Sequence, residues 1–178
     1  MTKLELNSVA QAVDVNQFLT FMLSGEEFAV PIMQVKEIIE YHGLTVVPMV
    51  PKFISGALNL RGNVIPVINL ATKLDMPTSD ETRRTSVVIM EVQLDDESTV
   101  IGVMVDRVLD VIDIAEENID SAPSLGARIR TDFIRGMGKL DGDFVIILEV
   151  NKILSSEEIA VVGNFQDESE ISPPDGID

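Results

Sequence analysis

Residues able to do chemistry are scarce in this sequence and do not group at catalytic spacings. The 178 residues include one histidine, His42, and no cysteine. A serine or cysteine nucleophile needs a neighbouring base and a group that orients that base, and the sequence contains no Gly-x-Ser-x-Gly segment. The absence of cysteine excludes a disulfide framework, a thiolate nucleophile and a cysteine-ligated metal. We therefore interpret His42 as a surface turn residue and expect no catalytic residue and no enzymatic activity.

Acidic turns are the remaining candidates for an ion site. Residues 95–97 (Asp-Asp-Glu) and 141–143 (Asp-Gly-Asp) each gather carboxylates, but hairpin turns favour Asp and Gly for conformational reasons. The full ligand pattern of a calcium-binding loop is missing, and no glycine-rich phosphate loop is present. We therefore expect neither a metal nor a cofactor.

Two charged residues, Arg61 and Glu37, stand out within apolar surroundings. Arg61 lies in the segment Asn-Leu-Arg-Gly at residues 59–62, between two apolar runs. It either pairs with a nearby carboxylate and pins the turn or contacts a partner, since arginine is enriched at interface hot spots; both roles can hold. Glu37 follows Val35 in a largely apolar run. That run is either one face of a core element or an apolar rim with an orienting acid for an incoming helix.

The charge balance limits the classes of partner. Thirteen Lys and Arg residues face 30 Asp and Glu residues, which gives a formal net charge of -17. Such a surface repels phosphate backbones and anionic lipid headgroups, so we expect neither nucleic-acid binding nor direct membrane insertion. No apolar run approaches the roughly 18 residues that a spanning helix needs, and residues 1–16 lack a secretory-signal pattern. A cytoplasmic location is therefore expected.

Short apolar runs between turn residues predict a β-rich fold with an aliphatic core, because the chain is 46% hydrophobic and only 4% aromatic. Residues 32–39 have helical spacing and predict a short helix, with a strand near residues 35–39 as the alternative. Pro51 predicts one helical turn, and Pro66 within a strand predicts an edge or a bulge. Residues 75–85 form a polar loop. Predicted strands cover residues 17–23, 28–30, 44–47, 63–70, 86–94, 99–105, 108–114 and 144–150.

An internal repeat indicates a duplicated architecture. Residues 53–74 and 133–154 align without a gap at an offset of 80. A weaker echo at an offset of 73 relates residues 30–38 to residues 103–111. Two similar halves predict two similar small barrels, and because neither half buries much core alone, the barrels should pack on each other.

This pattern predicts a single domain at residues 16–162. It contains two barrel subdomains, near residues 16–83 and 84–155, and an exchange of their ends stays open. A closing helix is predicted at residues 152–160. Residues 1–15 are predicted to be a flexible N-terminus. Residues 163–178, which are acidic and contain two adjacent prolines, are predicted to be a disordered tail.

Several segments, in order and at consistent spacing, resemble the CheW family of chemotaxis coupling proteins. They are the run at residues 17–28, Val-Lys-Glu-Ile at residues 35–38, Asn-Leu-Arg-Gly and Val-Ile-Pro-Val-Ile-Asn-Leu within residues 53–74, and residues 102–106 and 133–138. The resemblance extends over residues 16–160. It implies an all-β fold with short helices, in which two five-stranded SH3-like β-barrels share an apolar seam.

The resemblance also implies a non-catalytic adaptor with two partners. One is the regulatory domain of the histidine kinase CheA, and the other is the helical hairpin tip of methyl-accepting chemoreceptors. Receptor contact is expected in a groove between the barrels, at Val35, Glu37, Arg61, Val87, Val88 and Val108. Kinase contact is expected to be apolar and end to end between barrels, at Val46, Ile54 and Gly56.

Other readings stay open at this point. The same adaptor could serve a pilus-motility or gene-regulatory chemosensory pathway. A small ligand-binding or hydrolytic β-barrel with acidic loops would hold two carboxylates with raised pKa values in one pocket. A purely structural barrel that self-associates would carry one large isologous apolar patch.

Overall fold

Two β-sheets organise the molecule, and a computed structural model describes it over residues 16–94, 96–120, 133–154 and 158. The first strands are β1 Gln17–Leu23, β2 Glu26–Pro31, β3 Val35–Glu40, β4 Ile54–Leu60 and β5 Asn63–Asn69. The later strands are β6 Ser86–Leu94, β7 Glu97–Val105, β8 Arg107–Asp113, β9 Ile119–Asp120, β10 Ile134–Leu140 and β11 Asp143–Leu148. The helix α1 is Leu70–Lys73, and 3-10 turns cover Ile32–Gln34, Glu116–Asn118 and Val150–Lys152.

The strands join in an order that exchanges the two halves of the chain. One sheet, here called the terminal sheet, has the order β8-β1-β2-β11-β10-β9, and the other, the central sheet, has the order β3-β6-β7-β5-β4. The central sheet thus uses strands within residues 35–105, and the terminal sheet combines β1 and β2 with β8 to β11. Two parallel pairings, β2 with β11 and β5 with β7, join strands from different halves of the repeat.

Alternating burial builds three apolar clusters. Val88 and Met90 on β6 belong to a shared core that also contains residues of the terminal sheet, such as Leu19 and Leu148. The alternate residues of β6, such as Val87, point to the other face of the strand and lie in a second cluster inside the central barrel. Because successive side chains point to opposite faces of a strand, strands buried on both faces appear in the sequence as continuous apolar runs.

The terminal barrel has its own interior cluster, built around Phe18, Ala29 and Ile147. The two interior clusters and the shared core confirm the predicted all-β class with short helices, as two SH3-like barrels with a common apolar seam. The terminal sheet carries a sixth strand, the two-residue β9. None of the helices in the described ranges has the length and apolarity to cross a membrane.

The repeat appears in the structure as two hairpins, β4–β5 and β10–β11, with the same pairing irregularity. The register shifts between Ile54 and Gly56 in the first and between Ile134 and Gly136 in the second. Each hairpin is followed by an equivalent backbone hydrogen bond, in which the amides of Asn69 and Glu149 donate to the carbonyls of Phe53 and Phe133 at 2.7 and 2.8 Å. The sequence offset of 80 therefore corresponds to matching backbone positions.

Glycine at each bulge is required by a close approach of backbone. A Cβ atom at Gly56 would lie 2.6 Å from the carbonyl oxygen of Thr45, and one at Gly136 would lie 2.7 Å from that of Asp120. Real Cβ atoms do not approach so closely. The two glycines thus let an additional segment pair with each hairpin, through a bridge from Thr45 to Ala57 and through β9.

Some predicted elements differ. The helix predicted at residues 32–39 is only the 3-10 turn Ile32–Gln34, followed by β3, so the strand alternative holds. The helical turn predicted at Pro51 is wrong, because β4 begins at Ile54. The strand predicted at residues 44–47 is reduced to one bridge at Thr45.

Pro66 lies on β5, which is an interior strand between β7 and β4 rather than an edge. The parallel pairing of β5 with β7 begins at Val67, one residue later. Proline has no N–H to donate to a ladder, and it is tolerated here because the ladder with β7 does not include residue 66. Most of the helix predicted at residues 152–160, together with the predicted flexible N-terminus and acidic tail, lies outside the described residues.

Candidate partner-binding site

The β4–β5 hairpin presents Arg61 to solvent. Arg61 and Gly62 both have positive φ values, 53° and 87°, as the two central residues of a type I′ turn require. The side-chain oxygen of Asn59 accepts a hydrogen bond from the Gly62 amide at 3.0 Å, which further fixes the turn. The Arg61 side chain is 72% exposed. The Asn-Leu-Arg-Gly segment therefore holds an arginine at the tip of a rigid hairpin.

The edge strand β3 supplies the partner of this arginine. Within the central sheet β3 pairs only with β6, so its other edge is uncovered by a strand. The two carboxylate oxygens of Glu37 accept hydrogen bonds from the two terminal nitrogens of Arg61, at 3.0 and 3.2 Å. Such bidentate pairs are geometrically specific. The hairpin tip and the edge strand are thereby joined across the mouth of the central barrel.

A groove of about 450 Å³ opens beside this ion pair. The pair and Lys36 provide charge at its rim, and Leu60 and Val100, which are partly exposed and pack against the interior cluster of the central barrel, provide apolar surface. Lys36 also approaches Glu91 on β6, with 3.8 Å between the amine nitrogen and a carboxylate oxygen. An apolar base with an ordered charged rim suits the binding of a partner helix or peptide.

Comparison with known proteins identifies the family. Residues 17–158 match the CheW-like domain. The chain belongs to the CheW family. It is 35% identical over 148 residues to the Klebsiella aerogenes protein named Chemotaxis protein CheW, an alignment that covers 83% of this chain and 87% of the relative.

Further relatives agree with this assignment to the CheW family. The Bacillus subtilis protein of the same name is 36% identical over 142 residues, which is 79% of this chain and 88% of that protein. The crystal structure of the scaffolding protein TtCheW from Thermoanaerobacter tengcongensis superposes with a TM-score of 0.72 and 29% identity, and covers 80% of this chain and 90% of that one. The similarity therefore extends over nearly the whole described fold.

The predicted receptor residues of this CheW-family chain occupy different environments. Glu37 and Arg61, inferred separately from the sequence, are brought into direct contact. Val35 lies on the same strand as Glu37 and is half-buried against the shared core. Val108 is also half-buried against the shared core, but lies on β8 of the terminal sheet. These four residues retain surface that a partner could contact.

Val87 and Val88 are core residues, each only 1% exposed. Val87 packs inside the central barrel and Val88 packs in the shared core. The prediction of a direct receptor contact at these positions needs correction, because their side chains offer almost no surface. Sequence periodicity places alternate residues on opposite faces, but it does not reveal that both faces of β6 are covered.

The residues predicted to contact a kinase divide in the same way. Ile54 is 5% exposed and Gly56 is buried at the β4 bulge, so neither presents a side chain to a partner. Val46 is 83% exposed in the connection between β3 and β4. The sequence prediction missed Met49, which is fully exposed in the same connection. Its exposure could have been suspected only because it is an apolar residue between two prolines and outside the predicted strands.

The described residues show little that suggests chemistry. They contain no group of three or more His, Cys, Asp or Glu side chains placed to hold a metal ion. His42 is exposed in the connection after β3. Burial raises the pKa of Tyr41, and a hydrogen bond and the charge of Glu81 raise it further. This tyrosine packs beside the interior cluster of the central barrel, where a neutral phenol is the expected form.

Proposed function

We propose that this protein is a non-catalytic adaptor of chemosensory signalling that couples methyl-accepting chemoreceptors to the histidine kinase CheA. The observation that carries the proposal is the bidentate pair between Glu37 and Arg61, which forms the rim of a groove on a rigid barrel. The names of the relatives, a chemotaxis protein and a scaffolding protein, support the same role.

The receptor would use the rim and the neighbouring apolar surface. A receptor tip presents an amphipathic helix, which can place its apolar face in a groove and leave affinity to burial. Val35 and Val108 would supply half-buried apolar contacts, and the ion pair would set the register of the helix. Arg61 has most of its side chain exposed, so it can contact a partner while it holds Glu37.

The kinase would use a separate apolar surface. Val46 and Met49 are both strongly exposed within four residues of one another. Exposed apolar side chains are normal singly, and clusters of them mark interaction surfaces, so two in one short connection make it a candidate. We propose this connection as the contact for the regulatory domain of CheA, in place of the buried Ile54 and Gly56.

The proposed adaptor carries a signal through binding rather than through a reaction of its own. Receptors lie in the membrane and the kinase acts on cytoplasmic proteins, so the adaptor would work at the cytoplasmic side of a receptor array. Two distinct surfaces on one stiff double barrel allow both partners to be held at once. This requirement distinguishes the adaptor from a barrel that only self-associates.

Reconstitution from purified components tests the proposal. The protein, CheA and a receptor fragment that carries the hairpin tip are mixed, and recruitment of CheA to the receptor is measured by sedimentation. Arg61→Ala is expected to weaken recruitment by about 1–3 kcal/mol, the range for an interface anchor. Failure of the unmodified protein to bridge the two partners would contradict the adaptor role.

A matched control is available in the terminal barrel. Lys139 pairs with Asp120 at 3.2 Å, and both side chains are about half exposed (55% and 54%). Lys139→Ala therefore removes an exposed ion pair away from the proposed rim. It should leave recruitment unchanged; an equal loss in both variants would indicate a general effect of surface charge.

A further inference from the structure

A second groove, of about 440 Å³, lies between the start of β6 and the start of β8. Its lining comprises Arg84, Ser86, Arg107, Val108, Leu109 and Asp110. Arg83 adjoins it in the sequence and is also exposed. The groove therefore combines two guanidinium groups with a small apolar surface, and a third guanidinium lies next to it in the sequence. The whole chain has a net charge of -17.

Arg84 and Arg107 differ from five other described basic residues, each of which has a charged or aromatic partner. Lys36, Arg61, Lys73 and Lys139 each lie within 4.0 Å of a carboxylate, and Arg135 lies over the ring of Phe18. Neither Arg84 nor Arg107 forms an ion pair within the described ranges.

Asp110, which lines the same groove, forms no ion pair with either arginine. Two positive charges that have no ion-pair partner among the described residues thus line one groove, and Arg83 precedes one of them in the sequence. Arginine forks match carboxylates well.

The sequence holds a complementary acidic segment. After Lys152 the chain contains no Lys or Arg, and residues 167–178 carry five carboxylates at Asp167, Glu168, Glu170, Asp175 and Asp178. Two isoleucines, Ile171 and Ile177, lie among them. The segment therefore offers negative charge that complements the arginines and apolar side chains suited to the apolar part of the groove.

The length of chain after the last described residue sets how far this segment can reach. Glu158 is held by Lys73, with 2.5 Å between the amine and a carboxylate oxygen. Lys73 ends α1, and the loop that follows leads to Arg83 and Arg84. The 20 residues from 159 to 178 can span at most about 70 Å, which exceeds the dimensions of a domain of this size.

We propose that the acidic segment at residues 167–178 docks on the groove formed by Arg84 and Arg107 of the same molecule. A single exposed ion pair is weak, but tethering gives the segment a local concentration near the millimolar range. An acidic partner from outside has no such advantage. Because Val108 lines this groove, the docked segment would cover one of the proposed receptor contacts; the docking itself does not rest on the proposed function.

Paramagnetic relaxation in the full-length chain tests the docking. The protein has no cysteine, so Ser169→Cys provides one attachment point for a nitroxide spin label. Backbone amide signals of Ser86, Leu109 and Asp110 should lose most of their intensity at low salt. They should recover near 1 M salt, where the Debye length falls to about 3 Å.

Charge reversal supplies the decisive comparison. Arg84→Glu with Arg107→Glu should abolish the broadening, whereas Lys52→Glu, at an exposed lysine elsewhere, should leave it intact. The amide spectrum of each variant reports whether it is folded. If the arginine variant is perturbed, Asp167→Asn with Glu168→Gln and Glu170→Gln removes the charge from the segment and should have the same effect.

Three results would overturn the proposal. The groove amides could keep full intensity, the broadening could lie on another surface, or it could survive both sets of charge changes. A mixed sample of isotope-labelled protein and spin-labelled protein serves as a further test. Broadening transferred between molecules would show that the segment binds a second copy instead.

Discussion

The two hairpins of the repeat have the same backbone and different tips. Arg61 and Gly62 in the first hairpin correspond to Asp141 and Gly142 in the second, and all four have positive φ. The weaker repeat relates Glu37 to Asp110, so the terminal barrel carries two acids where the central barrel carries an ion pair. Both hairpins keep the bulge and the turn, whereas among the described residues the central hairpin carries its paired charge at the turn itself, and the terminal hairpin pairs Lys139 with Asp120 instead.

The largest expected effect concerns what the two barrels share. Leu148 is fully buried in the shared core, and Leu148→Ala should lower the free energy of unfolding by about 2–5 kcal/mol through lost burial and a cavity. Denaturant unfolding followed by two spectroscopic probes should show one coincident transition, because both sheets contribute to that core. Ile38→Ala, at an exposed position on β3, serves as the control. Separate transitions would show that the barrels are independent units.

The bulge glycines should be equally intolerant. Gly56→Ala and Gly136→Ala each place a Cβ atom against a backbone oxygen, and each should cost about 1–3 kcal/mol of stability. Thermal or denaturant unfolding measures both, with Glu40→Ala at an exposed strand end as the reference. If one substitution is tolerated and the other is not, the two hairpins are less equivalent than their pairing indicates.

Receptor binding should distinguish burial from charge at the rim. Val35→Ala should weaken binding of a receptor tip by roughly 1–2 kcal/mol through lost apolar contact, with little dependence on salt. Glu37→Lys should impair binding by an amount that shrinks as ionic strength rises, because an exposed charge is screened. Titrations at low and high salt measure both. Unchanged affinity in Val35→Ala would show that Val35 is not part of the receptor-binding surface.

The smallest expected effect is the change in stability when a charged residue at either hairpin turn is replaced. Arg61→Ala and Asp141→Ala should each change the free energy of unfolding by less than about 1 kcal/mol, as for exposed charges. Denaturant unfolding of the two variants tests this. A loss several times larger for Arg61→Ala would mean that the pair with Glu37 serves the fold more than a partner.

Most strands and the duplication could be predicted from sequence, because alternation and repeated spacing are local properties. The failures arose where local patterns are ambiguous. Ile32, Val35, Ile38 and Ile39 fit helical spacing, yet Ile38 lies exposed on a strand, so the spacing does not mark one buried face. The sheet order, in which the chain halves exchange strands, depends on long-range pairing that no short segment encodes.

The candidate site was predicted only in part for related reasons. Glu37 and Arg61 could be singled out from the sequence as charged residues in apolar surroundings. Their contact could not be predicted, because 24 residues separate them and only the folded sheet brings them together. The sequence resemblance predicts contacts at Val87, Val88 and Ile54, but the shared core and the barrel interior cover these side chains. Met49 lacked any periodic signal, because exposure in an irregular connection is decided by the surrounding structure.

We propose that Glu37 and Arg61 form one receptor-binding rim. A double-mutant cycle with Arg61→Ala, Glu37→Ala and the combined variant, titrated with a receptor tip fragment, tests it most directly. Each single change should weaken binding about tenfold or more, and the combined loss should fall short of the sum by about 0.5–3 kcal/mol, as for residues in direct contact. Equal affinity of all four proteins for the receptor would contradict the account.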